Sequence, residues 1–101
     1  MRAIKVEYTT KPEYVNTNKA NIQKVMEELR AMGNVGVLYS TCVKEDGCSF
    51  VHFAISKDEE AAKIIPSLPA FKAFTSQLQA GGLVSPPQTT HLDLVGKSFD
   101  L

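Results

Sequence analysis

An α+β fold, with helices on one face of a four-stranded antiparallel sheet, is what this chain predicts, and three observations carry the prediction. Near the start Ile4, Val6 and Tyr8 alternate with Lys5, Glu7 and Thr9, the period of a strand with one buried face. Ile22, Val25, Met26, Leu29 and Met32 then recur at three- and four-residue spacing, the apolar stripe of an amphipathic helix. Two β-rich stretches, Val35 to Val43 and Cys48 to Ile55, flank Lys44-Glu45-Asp46-Gly47, and Asp-Gly between such stretches marks a hairpin. With a helical segment and a last strand beyond, the order is β-α-β-β-α-β, the ferredoxin-like arrangement.

Each element has its own boundary signals. Pro12 stops the first strand, and Gly33 suits the left-handed residue that closes a helix. The start of that helix is open between a cap at Asn16, Thr17 or Asn18 and an earlier start near Pro12-Glu13. The second strand divides into Val37, Tyr39, Thr41 and Val43 on one face and Leu38, Ser40 and Cys42 on the other, with no clear choice of facing. In the third, Val51, Phe53 and Ile55 share one face and Phe50, His52 and Ala54 the other. Lys57-Asp58-Glu59-Glu60 places acids at a helix start, where the macrodipole favours them. Ala61, Ala62, Ile64 and Ile65 continue that helix until Pro66 and Pro69 interrupt it. Pro69 can open a new helix, with Phe71, Phe74 and Leu78 as its stripe and Gly81-Gly82 at its end. After the stiff Pro86-Pro87, Thr89 to Val95 reads as a last strand, Leu92 and Leu94 on one face and His91, Asp93 and Val95 on the other. Residues 1–96 form the domain and 97–101 a C-terminal tail, whose Phe99 and Leu101 would anchor it on a partner subunit if it docks there.

The apolar strand sets (Ile4, Val6, Tyr8; Val51, Phe53, Ile55; Leu92, Leu94) are expected to face the helices. Lys5, Glu7, Phe50, His52, His91 and Asp93 then line the open face. With the first and third strands central and the fourth beside the first, His52, Glu7 and His91 would come near one another.

Composition narrows the function classes. The chain has 101 residues, with 11 Lys plus Arg against 11 Asp plus Glu. That length makes one domain with a modest core. Zero net charge weighs against a dedicated nucleic-acid binder, which carries a basic patch, and favours self-association. No apolar run approaches membrane-spanning length, and the N-terminus lacks a secretory pattern, so a cytoplasmic protein is expected. Cys42 and Cys48 flank the hairpin; a disulfide between them is conceivable, but nothing points to an oxidising compartment.

Three uses of the histidine-bearing face compete. In the first, two copies pack face to face around a small-molecule pocket, with His52 as acid or base and Glu7 or Asp93 orienting an imidazole. In the second, Gly47, Phe50, Val51 and Phe53 match part of the RNP1 motif of RNA-binding domains. Asp46 and Cys48 stand there in place of a basic and a stacking residue, and Lys5 in place of an aromatic platform, so nucleic acid is not the expected partner. In the third, His52, His91, Glu7 and Asp93 are acceptable metal-ligand types, but they come from separate strands without a local signature, and no metal is expected. Hydrogen bonding of the two histidines inside an interface is the structural alternative to all three.

Phe50-Val51-His52-Phe53-Ala54, the acidic helix start and Leu68-Pro69-Ala70-Phe71-Lys72-Ala73-Phe74 together resemble the dimeric α+β barrel superfamily, in particular the antibiotic biosynthesis monooxygenase-like proteins. The opening strand running into Lys11-Pro12-Glu13 and a long helix is similar too, so the resemblance reaches to about Val95. It implies a homodimer with one pocket per subunit between sheet and helices, and chemistry on quinols or phenolic polyketides without metal or flavin. The chain has no Trp, and Ile64 and Ile65 stand where the helix commonly carries a His. The branch of the family that cleaves haem is therefore not implied.

The expectation is a cytoplasmic homodimer that binds a small molecule and needs no cofactor, possessing no nucleic-acid or membrane partner. As an enzyme it would oxygenate a phenolic or quinol-type compound, with His52 and Glu7 catalytic and Tyr39, Phe50, His91 and Asp93 binding substrate. The alternative is a non-catalytic binding or interaction module of the same fold.

Overall fold

The computed structural model describes residues 1–101. Strands β1 (Arg2–Thr9), β2 (Val37–Val43), β3 (Ser49–Ser56) and β4 (Gln88–Leu92) form one antiparallel sheet in the order β2-β3-β1-β4. Helix α1 (Val15–Ala31) follows a 3-10 turn at Pro12–Tyr14; α2 (Ile64–Ser67) and α3 (Pro69–Gln77) follow β3, and a wide turn at Leu78–Gly82 ends α3. The ferredoxin-like order holds, with β1 and β3 central and β4 beside β1.

Local chemistry fixes the connections. The helical path begins at Pro12 rather than at an Asn or Thr cap, and Gly33 leaves α1 with φ 75°. In the β2–β3 hairpin Gly47 takes φ 76°, while Asp46 Oδ1 accepts the backbone N–H groups of Cys48 and Ser49 at 2.9 and 2.8 Å. Asp58 Oδ1 accepts the N–H of Ala61 at 2.8 Å, so the acidic run does start a helical segment. Pro66 sits inside α2 instead of stopping it, and Pro69 opens α3. Two contacts tie α1 to α3: the Glu28 carboxylate accepts the N–H of Ala70 at 3.1 Å, and Asn21 Nδ2 donates to Gln77 Oε1 at 3.0 Å. A carboxylate at a helix N-terminus meets the positive end of its dipole.

The core joins Tyr8 and Phe50 of the sheet to Ile22 and Val25 of α1 and to Leu68, Phe74 and Leu78. Its make-up overturns one expectation. In the β1–β3 ladder Ile4 lies opposite Ala54, Val6 opposite His52 and Tyr8 opposite Phe50, and directly opposed residues point to the same face. Phe50, His52 and Ala54 therefore face the helices, and Val51, Phe53 and Ile55 face away. The set that faces away is the more apolar of the two, so hydrophobicity alone points to the wrong face, and a one-residue change of register flips the set. The hairpin and the pairing with β1 decide. On β2, Tyr39 and Thr41 share the helix side, opposite Ala54 and His52.

The last strand is also shorter than expected. It ends at Leu92, and Leu92 pairs with Ala3, placing it on the open face and not under the helices. Asp93, Leu94 and Val95 lie beyond the ladder and exposed.

Candidate functional site

A cavity of about 370 Å³ lies between the sheet and the second half of the chain, within the size range of small-molecule sites. Ile4, Val6 and Tyr8 of β1, His52 and Ala54 of β3, and Tyr39 of β2 form its floor. Ile65 and Pro66 of α2, Phe71 and Phe74 of α3, and Leu78 form its roof. The alternating pattern of β1 supplies the apolar floor, and the proline-broken helices supply a roof of short segments that stand off from the sheet.

His52 sits in this floor, only 5% exposed. Its ring packs against those of Tyr8, Tyr39 and Phe74 at centroid distances of 5.2, 5.8 and 5.6 Å. Both ring nitrogens are engaged. Nε2 lies 2.8 Å from Tyr8 Oη; Nδ1 lies 2.6 Å from Tyr39 Oη and 3.0 Å from Thr41 Oγ1. From α1, Asn18 Nδ2 donates to Tyr8 Oη at 2.9 Å.

These distances select a direction for the protons. Tyr8 has one hydroxyl proton. Its oxygen receives the Asn18 N–H, so the proton is best used on Nε2. Nδ1–H then donates to Tyr39 Oη or Thr41 Oγ1, and the Tyr39 O–H is free to point into the cavity. This arrangement gives both His52 nitrogens and the Tyr8 hydroxyl a partner. The result is a chain of donors, Asn18 to Tyr8 to His52 to Tyr39, ending at a hydroxyl on a residue that lines the cavity. Chains of this kind polarise one another.

The electrostatics agree. Burial pushes His52 down to about 4, so the imidazole is neutral at physiological pH. Burial likewise pushes Tyr39 up to about 12, and raises Tyr8 further, against the opposing pull of the Asn18 hydrogen bond. Every member of the chain is uncharged and protonated as a donor.

The expected site residues separate on this frame. His52 and Tyr39 come together in the cavity. Phe50 lies beside it in the core, stacked on Tyr8 at 5.6 Å, and does not line it. Glu7 is on the opposite face of the sheet, opposed to Val51 and ion-paired with Lys5 and Lys44 at 3.5 and 3.6 Å. His91 is opposite Ile4 on the helix side but on the edge strand, exposed and outside the cavity. Asp93 lies past the strand end. The expected approach of Glu7 and His91 to His52 is thus corrected, because alternation along β1 sends Glu7 to the face that His52 does not share. The four candidate metal ligands are not gathered, and no group of three or more His, Cys, Asp or Glu is arranged to hold a metal ion. Cys42 and Cys48 are both free thiols.

Tyr8, Asn18 and Thr41 are the members that sequence reasoning missed. Asn18 carried a signal: it lies four residues before Ile22, on the apolar stripe of α1, and is fully buried. A polar residue on such a stripe needs a buried partner.

No family model matches the sequence, and no curated protein matches it. Solved structures do match. One described as an antibiotic biosynthesis monooxygenase superposes with a TM-score of 0.79 at 18% identity, over 95% of this chain and 100% of the other. Rv0793 from Mycobacterium tuberculosis gives 0.80 at 17% identity, over 97% and 98%. SnoaB, a cofactor-independent oxygenase from Streptomyces nogalater, gives 0.71 at 12% identity, over 96% and 95%. Likeness at such identities is one of architecture. Along nearly all of its length, the chain has the fold of the antibiotic biosynthesis monooxygenase structures.

Proposed function

We propose that this chain is a homodimer that binds a phenolic or quinol-type compound in the cavity and oxygenates it without a cofactor. The observation that carries the reading is the donor chain ending at Tyr39 in a largely apolar stretch of the pocket. A preorganised O–H in a water-poor site stabilises negative charge that develops on a substrate oxygen. The substrate phenol ionises against Tyr39, its proton leaving to solvent. The electron-rich anion then reacts with dioxygen. One oxygen atom is retained as a quinone carbonyl, and the other leaves as water with the two hydrogens that the phenol gives up. Dioxygen is the oxidant, and no further reductant is needed.

His52 acts here as a neutral relay that orients Tyr39 and takes up charge only transiently, since a group held near 4 is a weak base at neutral pH. Glu7 is assigned no catalytic part. The homodimer reading is supported by the uncovered face of the sheet, where Leu38, Phe53 and Leu92 are each about 40% exposed and a second copy would cover them. No helix is long and apolar enough to cross a membrane.

The test is aerobic turnover of dithranol, a dihydroxyanthrone, followed by oxygen uptake and quinone absorbance. Uptake of one dioxygen per quinone, lost in His52→Ala and Tyr39→Phe, supports the oxygenase. Binding without oxygen uptake supports the second reading, a non-catalytic binding module. That reading has its own observation: both nitrogens of His52 are already satisfied within the protein.

A further inference from the structure

The cavity has a second polar end, away from the imidazole. Arg2 and Ser56 are opposed across the β1–β3 ladder, and both line the cavity. They lie on the same face as His52, with Ser56 four residues along β3, or about 13 Å at ~3.3 Å per residue. Between the two ends the surface is Ile4, Val6, Ala54 and the apolar roof. Ser56 is only 6% exposed and lines the cavity, and its hydroxyl is free to bond a ligand there. Arg2 has a partner in the protein, Glu59, at 3.1 Å, but both side chains are open to solvent, at 43% and 74%. A pair so exposed contributes little and is readily exchanged.

Resting on the small-molecule reading of the same cavity, we infer that Arg2 and Ser56 form a carboxylate subsite, and that the ligand is an elongated aromatic with a hydroxyl at one end and a carboxylate at the other. The guanidinium pairs with the carboxylate, and the Ser56 O–H donates to the same group. Glu59 holds Arg2 in place in the empty site and is displaced when the acid enters. Planar donors on Arg suit a carboxylate better than a Lys would. The two ends select in the same direction, since Tyr39 donates to an electron-rich oxygen and Arg2 pairs with an anion, so a ligand bearing only one of these groups fills the cavity but uses half of its polar contacts.

The experiment compares emodin with emodic acid, which differ only by a methyl group against a carboxylate at one end of a hydroxyanthraquinone. Affinities are measured by titration calorimetry at neutral pH in low salt. The wild-type chain is expected to bind the acid about fivefold more tightly, the scale of a partly exposed ion pair, with the preference shrinking as salt screens it. Arg2→Gln brings the ratio to about one. Glu59→Gln, which frees Arg2, increases the ratio. Equal affinity of the two compounds for the wild-type chain, or a ratio unmoved by Arg2→Gln, overturns the subsite. Tight binding of emodin in that case leaves the cavity reading standing. Binding of neither compound overturns both.

Discussion

Tyr8 and His52 meet at 2.8 Å across the β1–β3 ladder although they are not opposed in it: Val6 faces His52, and Tyr8 faces Phe50. The contact is a diagonal one, which only long side chains span. It requires both residues on the helix face, and α1 overhead to supply Asn18. A single hydrogen bond therefore reports the register of two strands and the seating of a helix.

Removing the imidazole should be costly. His52→Ala leaves the hydroxyls of Tyr8, Tyr39 and Thr41 without their shared partner and opens a cavity in the floor. A loss of about 2–4 kcal/mol is expected, read as a lower midpoint in urea denaturation. A loss below ~0.5 kcal/mol would mean that His52 is not buried as described.

The two tyrosines should differ in stability and in function. Tyr8→Phe strands Nε2 of His52 and the N–H of Asn18, costing about 2–3 kcal/mol. Tyr39→Phe leaves Thr41 Oγ1 to receive Nδ1–H, and should cost about 1 kcal/mol or less. It nevertheless removes the hydroxyl at the cavity end of the chain, so dithranol turnover should collapse in a protein that remains folded. Equal stability losses with equal activities would contradict the direction assigned to the chain.

Acid should destabilise the protein through His52. Its pKa falls from 6.5 to about 4 on folding, so between these values the unfolded chain binds the proton and the folded one does not. The contribution is fully present above pH 6.5 and is lost as pH falls toward 4. It amounts to about 3 kcal/mol at 1.36 kcal/mol per unit. His52→Gln should lack this limb, and the difference between the two stability curves isolates it from the carboxylates. An imidazole NMR titration with a midpoint near 6.5 for His52 would refute the shift.

The open face should hold the dimer. Phe53 projects from β3 away from the helices and is 40% exposed, so Phe53→Glu should leave the monomer fold intact while burying a charge in the proposed interface. Sedimentation equilibrium should show a dimer for the wild-type chain and a monomer for the variant. A wild-type monomer at all concentrations would remove the homodimer.

Alternation in β1, the helical stripe from Ile22 to Met32, the Asp46-Gly47 turn and the Pro69 helix start determined the element order from sequence alone, because each is a local rule in which neighbours along the chain set the backbone. His52 and Tyr39 were legible as site candidates for the same reason: polar and aromatic groups stood out at mid-strand positions. The facing of β3 was not legible, since Phe50, His52 and Ala54 compete with a more apolar set one residue away, and the apolar pattern favours that set. Nor was the company His52 keeps. Asn18, Tyr8, Tyr39 and Thr41 come from three different elements, and Glu7, closer in type to a catalytic partner, is carried to the far side of the sheet by the period of two. Only pairing between distant strands and the docking of α1 decide which side chains share a buried space, and these depend on packing the chain as a whole.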